Sequence, residues 1–401
     1  MHLPDLREML MVALLSSIYA KRALNEPDAN NKSDRYIVTL KSEVDLHEHI
    51  RFVQDLSKTS KIDDNHTFLG ISHNYTFGDF KAYAGQLDVS VVTQLKNHGD
   101  VLAVEQDRVW NPFETTDLIK QSSPPYALHL ISHRGTNDKG TYYYDSSAGQ
   151  GTYGYVVDSG IFTSHTDFEG RAMLGYNAIK NVPFEDVDGH GTHVASTMCG
   201  SKFGVAKKCN LVAVKIINKG LTIPSYMLDG YVWAVNDIIA KKRQANAVIN
   251  VSLGGPFSLS LNRAVDHAYS QGITTIASAG NQDQDAHKES PGSAAGAITV
   301  ASTDAQRRRA RKSNWGRDVD IFAPGDRIVG AAATSDKGTA VRSGTSQAAP
   351  HVAGLVLYFK AMSHLPDAKA TREHLLKVAT PGVVQDPMRA ANRFAYNGCG
   401  R

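Results

Sequence analysis

The sequence predicts an α/β protein built on a mainly parallel central sheet, preceded by a small α+β domain. Two patterns and the break between them carry that prediction. The C-terminal part alternates short apolar runs with helical stretches, and the N-terminal part does not. Between them lies "VWNPFETTDLIKQSSPP", Val109–Pro125, a polar stretch with prolines and no apolar periodicity. At 401 residues the chain is long enough for two domains, one of them large. A net charge of +3 gives no reason to expect a nucleic-acid partner. The basic cluster "RRRARK", Arg307–Lys312, reads as a solvated surface loop.

The first element is the apolar segment Met9–Ala20, whose length fits the core of a secretory signal within residues 1–20. Asp5, Arg7 and Glu8 stand where a positive flank is expected, so a misassigned start is the alternative. No apolar run reaches the ~18 residues needed to span a bilayer, and no membrane partner is expected. Residues 35–113 then form the α+β unit. "RYIVTLK" reads as a strand, "VDLHEHIRFVQDLSK" as a helix, and "FKAYAGQLDVSVVTQLKNHGDVLAVEQDRVW" as strand, helix, strand. Residues 114–124 form a linker, and the large domain covers 125–401.

Within the large domain, apolar runs occur at Gly154–Val157, Leu211–Ile217, Ala247–Leu253, Ile273–Ala277, Ile298–Ala301 and Val319–Phe322. Helical patterns between them include Tyr226–Lys242 and Leu259–Gln271. Continuous apolar strands separated by helices imply a parallel sheet covered on both faces. In such sheets chemistry sits at the carboxyl ends of strands. Asp158 follows "YGYVV" and Asn281 follows "ITTIASAG", so both fall at that end. The three cysteines are Cys199, Cys209 and Cys399, an odd count that leaves at least one unpaired within a monomer. Buried thiols are expected, with Cys199–Cys209 available for a short disulfide loop.

Three local patterns belong together. They are "YVVDSGI" (Tyr155–Ile161), "DGHGTHVAS" (Asp188–Ser196) and "SGTSQAAPHVAG" (Ser343–Gly354). In that order they resemble the triad motifs of the subtilisin-like serine proteases, close to the fungal proteinase K group. The resemblance covers nearly the whole chain and implies a subtilisin-like three-layer fold. It makes Ser346 the nucleophile, His190 the general base and acid, and Asp158 the carboxylate that orients the imidazole. The chemistry requires these types: a serine hydroxyl is a poor nucleophile until an imidazole takes its proton, and a carboxylate must fix that imidazole's tautomer. Asn281, with the backbone N–H of Ser346, would hold the tetrahedral oxyanion. Ser346 is also expected to cap a helix, with Pro350 in the helix's first turns. His193 reads as structural, because the spacing and glutamate of a zinc-binding HExxH motif are missing.

The resemblance extends to the substrate. Peptide would add as a strand along Asn250–Gly255 and beside Gly220. Ser252, Leu253 and Gly254 would form one wall of the first specificity pocket, and Ser278, Ala279 and Gly280 the other. Neither wall carries an acidic side chain, so broad cleavage after apolar or aromatic residues is expected. No cofactor is needed for the chemistry. A structural calcium is implied at Asp320 with the carbonyls of Ala295 and Ala297, the alternative being a surface aspartate. Glycosylation sequons stand at Asn31, Asn65 and Asn74, all ahead of the large domain, and Asn250 lies in a core strand that cannot carry a glycan.

The chain also departs from the family's wording. Gln347 follows the nucleophile in place of methionine, Ser159 replaces a threonine, and Ser196 replaces a glycine. "NKGLTIPS", Asn218–Ser225, keeps only Gly220 of the usual Gly-Ser-Gly. The implied protein is a secreted, monomeric extracellular serine endopeptidase acting on proteins and peptides. Its own propeptide would inhibit it until self-cleavage within Asn111–Ser123. The rival reading is a non-catalytic pseudoprotease that binds peptides. An α/β-hydrolase esterase is excluded, since no GxSxG surrounds Ser346.

Overall fold

The computed structural model describes residues 35–59, 70–107, 118–135 and 140–399. The signal segment, Asn31, Asn65 and most of the processing linker lie outside the described residues. The chain divides into two compact units, Met1–Glu114 and Thr115–Arg401. In the first, β1 (Arg35–Leu40), α1 (Leu46–Thr59), β2 (Gly70–Phe77), β3 (Phe80–Gln86), α2 (Val89–Lys96) and β4 (Val101–Gln106) follow in turn. The sheet order is β2-β3-β1-β4 and every pairing is antiparallel. Val38, Leu40 and Tyr83 of the sheet bury the apolar stripes Leu46, Ile50, Val53 and Val91, Val92, Leu95. The strand β2 has no expected counterpart. Its side chains from Ser72 onward are exposed, Asn74 among them, so it lacks the apolar alternation by which strands are read.

The second unit opens with β5 (Ile119–Ser122), α3 (Tyr126–Ser132) and β6 (Thr141–Tyr144), where β5 pairs antiparallel with β6. Part of the expected linker is therefore built into this unit. The sheet strands are β7 (Tyr153–Asp158), β8 (Ala172–Asn177), then α4 (His190–Cys199) and β9 (Asn210–Lys215). Next come α5 (Pro224–Ala240), β10 (Ala247–Val251), the short β11 (Gly255–Pro256), α6 (Leu259–Ser270), β12 (Thr274–Ser278) and the short β13 (Glu289–Ser290). The chain closes with β14 (Ala297–Thr303), β15 (Ile321–Pro324), the hairpin β16 (Ile328–Ala331) and β17 (Thr339–Arg342), α7 (Thr345–Met362), α8 (Ala368–Val378), β18 (Thr380–Pro381) and β19 (Arg393–Phe394).

Nine strands form one sheet in the order β18-β19-β15-β14-β12-β10-β7-β9-β8, parallel except for the β18–β19 edge. Helices α4 and α7 cover one face, with Val194, Met198, Val352 and Leu355 packed on Val156, Val248 and Ile276. On the other, α5 and α6 set Tyr231, Ala234, Val265 and Ala268 against Tyr155, Ile249 and Val251. This is the three-layer architecture expected from apolar strands alternating with helices. The order reverses at β7, whose neighbours β9 and β10 lead to opposite edges, and Asp158 is its last residue. Ligands of open α/β sheets bind beyond the carboxyl ends of strands at such a reversal.

One local expectation needs correction, and of the two cysteine readings the disulfide is the one formed. Arg307 and Arg309 of the basic run are anchors, because a guanidinium can donate to two loop carbonyls or carboxylates at once. Arg307, 5% exposed, donates to the carbonyls of His133 and Arg134, and Arg309 pairs with Asp283 and Asp386. Cys199 and Cys209 are buried as expected, yet they form a disulfide. Cys399 stands apart, its Sγ donating to the Ser132 carbonyl. Among the described residues no helix is long and apolar enough to cross a membrane.

Candidate active site

Asp158 ends a buried strand and is itself fully buried, which fixes its carboxylate from behind. His190 is the first residue of α4, preceded by Gly189 at the N-cap with φ 67°. Its Nδ1 lies 2.8 Å from Asp158 Oδ1 and 3.0 Å from Oδ2. A carboxylate can only accept, so the proton sits on Nδ1 and Nε2 keeps its lone pair for the cleft. Burial works to lower the imidazole's pKa, but the charge and hydrogen bond of Asp158 outweigh it and hold it above the ordinary 6.5.

Asp186 ties the two residues together. Its Oδ1 accepts from Ser159 Oγ and Gly189 N, and its Oδ2 from Thr192 N and Oγ1. A carboxylate at a helix N-terminus is favoured by the exposed N–H groups and the helix dipole. Ser159 Oγ accepts from Gly191 N in turn, linking the strand end to the helix start. Lys215, wholly buried, caps the carbonyls of Ser159, Glu185 and Ile217, while burial pushes its ammonium below the ordinary lysine range. Neither residue was singled out from the sequence. A lone lysine inside "LVAVKII" was a readable signal, because a charge in an apolar strand needs dedicated partners.

Ser346 is the second residue of α7, and Gly344, not Ser346, is the N-cap. Gly344 has φ 146°, and a Cβ there would stand 3.2 Å from Asn281 Oδ1, so the turn excludes a side chain. Pro350 lies inside the helix beyond its first turn, and the missing N–H leaves the Ser346 carbonyl without its helical partner. Asn281 Oδ1 accepts from Thr345 N at 2.8 Å and from Thr345 Oγ1 at 3.1 Å. Those donors fix the amide orientation and leave Nδ2 as the donor facing outward. The Ser346 N–H has no partner among the described residues, as an oxyanion donor at a helix N-terminus requires.

A cleft of about 380 Å³ brings His190, Ser346, Asn281, Gly220, Ser252, Leu253, Gly254, Ser278 and Gly280 together, with Asp188, Glu289 and Arg342. Ala279 does not line it. It is fully buried in a separate apolar cluster, its carbonyl taken by Asn314 Nδ2. The Ser346 hydroxyl makes no hydrogen bond among the described residues, and such contacts commonly tighten only once substrate is bound. His193 is buried away from the cleft, donating Nε2–H to the Ile328 carbonyl, with its pKa lowered to about 4 by burial.

A model of the subtilase family matches residues 149–393, and one of the peptidase inhibitor I9 family matches residues 35–112. The chain belongs to the subtilase family. Alkaline protease 1 of Aspergillus flavus is 43% identical over 371 residues, 91% of either chain. The alkaline proteinase of Hapsidospora chrysogena is 42% identical over 403 residues, covering 97% of this chain and 98% of that one. A crystal structure of a cold adapted subtilisin-like serine proteinase, 34% identical, matches with a TM-score of 0.64 over 69% of this chain and 99% of its own. The protein is thus a serine endopeptidase carrying an I9-type propeptide.

In this subtilase the departures at Ser159 and Ser196 are absorbed locally. Ser196 Oγ donates to Asp167 Oδ2 and accepts from Ala331 N, so the added hydroxyl is satisfied within the core. Gln347 is 2% exposed. Gly220 keeps φ 73° in the altered segment and donates its N–H to Asp188 Oδ1.

The residues expected to hold calcium do not fit the ion as they stand. Arg372 Nη2 lies 2.6 Å from Asp320 Oδ1, Arg372 Nη1 donates to the Ala295 carbonyl, and Asp320 Oδ2 accepts from Thr299 N. A guanidinium already stands against two of the three expected donors. Burial pushes Asp320's carboxyl up more than Arg372 pulls it down. Arg372→Ala is expected to destabilise the fold by roughly 1–3 kcal/mol by leaving a half-buried carboxylate without its cation. Calcium should raise the melting temperature of that variant and not of the natural chain. Stabilisation of the natural chain alone would contradict the placement.

As the expected oxyanion donor, Asn281 would act on charge that exists only in the transition state, so Asn281→Ala is expected to lower kcat by roughly 10²–10³ with little change in KM. Rates per active site, titrated with an irreversible serine reagent, give the check. A tenfold rise in KM with unchanged kcat would instead make Asn281 a simple substrate contact.

Proposed function

We propose that the chain is a secreted zymogen whose mature form hydrolyses peptide bonds through Asp158, His190 and Ser346. The observation that carries this reading is the pairing of His190 Nδ1 with Asp158, which turns Nε2 toward the cleft that Ser346 also lines. Ser346 Oγ attacks the scissile carbonyl carbon as His190 Nε2 takes its proton. Asn281 Nδ2 and the Ser346 N–H hold the oxyanion. His190 then gives that proton to the leaving amine as the C–N bond breaks, and water repeats the sequence on the acyl-enzyme. Substrate backbone would add as a strand along Ser252–Gly254, just past the end of β10.

Residues 35–113 would act as the inhibitory propeptide. Since Ile119–Ser122 is a strand of the second unit, self-cleavage is proposed ahead of it, within residues 111–118. Export rests on the apolar segment Met9–Ala20, and a disulfide between Cys199 and Cys209 fits an oxidising compartment. The two uncharged pocket walls support cleavage after apolar or aromatic residues; the carboxylate of Glu289, which also lines the cleft, does not. Of the departures at 196, 218–225 and 347 that favour a non-catalytic reading, the first is answered by the hydrogen-bonded hydroxyl of Ser196. Expressing the whole chain and sequencing the N-terminus of the exported product tests the proposal. A new terminus within 111–119 is expected, and an exported chain still carrying residues 35–113 in covalent linkage would contradict it.

A further inference from the structure

Resting on the endopeptidase reading, we propose that the primary specificity pocket selects a basic side chain, lysine or arginine, on the residue whose carbonyl is attacked, and that Glu289 is the residue that selects it. The two walls of the pocket, Ser252–Gly254 and Ser278–Gly280, carry no charge. The structure adds a third surface, because β13 pairs antiparallel with β11, setting Glu289 opposite Pro256 and bringing its side chain into the cleft. Nothing in the local sequence "HKESPG" announces that pairing.

Glu289 is 6% exposed, yet only half of its carboxylate is used. Oε1 accepts from Gln284 Nε2 at 2.9 Å. Oε2 has no hydrogen bond, and no Lys, Arg or His forms an ion pair with Glu289, among the described residues. The free oxygen lies between the walls. A Cβ built on Gly280 would stand 2.3 Å from Oε2, and one on Gly254 would stand 3.9 Å away. Because both positions are glycine, the oxygen stays open to the cleft. Gly280 has φ 103°, which few other residues adopt, so that opening is also held by the backbone. Asn281, the proposed oxyanion donor, directly follows Gly280. The pocket therefore adjoins the scissile carbonyl and receives the side chain on its acyl side.

The energetics favour a cation. A carboxylate removed from water without a partner is costly, and an aromatic or aliphatic side chain filling this pocket would complete its desolvation. An ammonium or guanidinium supplies the missing partner. With Oε1 already engaged, one oxygen remains, so the geometry gives arginine no bidentate advantage and admits lysine equally. Self-processing does not constrain the pocket, since an intramolecular cut proceeds at high effective concentration.

The test uses mature enzyme, counted by fluorophosphonate titration, and peptide anilides that differ only at the residue before the cut. Lysine, arginine, N-acetyl-lysine, leucine and phenylalanine are compared. Lysine and arginine are expected to exceed leucine, phenylalanine and N-acetyl-lysine in kcat/KM by about 30-fold or more, the scale for leaving one member of a buried charge pair unpaired. E289Q should lower the lysine-to-phenylalanine ratio by a similar factor, a change that a general structural lesion would not produce. If E289Q does not mature, lysine against N-acetyl-lysine in the natural enzyme still decides. Leucine or phenylalanine anilides cleaved as fast as lysine would overturn the pocket assignment while leaving the endopeptidase intact. No cleavage of any anilide, with no fluorophosphonate uptake, would overturn both.

Discussion

Ser346→Ala is expected to yield a chain that stays uncut, with hydrolysis slower by roughly a millionfold, because the members of such a triad act as one unit. The structure makes this substitution clean. Ser346 is not the N-cap of α7, its hydroxyl makes no hydrogen bond among the described residues, and its neighbours Thr345 and Gln347 are buried whichever residue stands there. Alanine is the best helix former, so no loss of stability is expected. The variant should therefore fold, keep residues 35–113 attached, and unfold near the temperature of an uncut natural chain. Gel mobility and casein digestion read the two halves of the expectation. Unaided maturation of the variant would remove Ser346 from the nucleophile's role.

Asp158→Asn is expected to lower kcat/KM by roughly 10⁴, for a reason visible in the hydrogen bonds. Asp158 Oδ1 faces the Ser159 N–H at 2.7 Å, so the oxygen of an asparagine would stay there. Its NH₂ would then occupy the place of Oδ2 and point at His190 Nδ1. That donor, 3.0 Å from Nδ1, competes with the retained oxygen at 2.8 Å and favours the tautomer with its proton on Nε2, where it blocks the base. The pH profile should move as well. In the natural enzyme the acid limb of kcat/KM reports loss of the His190 proton, with a midpoint above the ordinary 6.5. Without the Asp158 charge, burial and then Arg342 lower the imidazole's pKa against Asp186 alone, so residual activity should persist to lower pH. The stability linkage runs the other way. The His190–Asp158 pair stabilises the fold fully below the unfolded imidazole pKa and loses that contribution as pH rises through the raised folded value. A variant whose acid limb did not move would show that another group sets that limb.

What the sequence made legible was whatever repeats along the chain. Apolar runs such as Ala247–Leu253 gave the strands, and the break at residues 109–125 falls where the two units divide. The serine, histidine and aspartate motifs brought His190, Asp158 and Asn281 to the carboxyl edge of the sheet, where they stand. The misses share one cause: partners distant in sequence. Glu289 enters the cleft only through the pairing of β13 with β11, and Arg372 reaches Asp320 from a helix far along the chain. Nothing near either residue announces its partner. The Ser346 cap failed for a different reason. A serine near a helix start is a good statistical cap, but the turn that presents a nucleophile here needed a backbone angle that glycine supplies.

The most direct measurement is fluorophosphonate labelling of the matured protein followed by peptide mass mapping. A single phosphonyl adduct is expected on Ser346, formed at a rate that falls as His190 is protonated and that is abolished by His190→Ala. Maturation without any adduct on Ser346, or an adduct formed equally fast in His190→Ala, would contradict it.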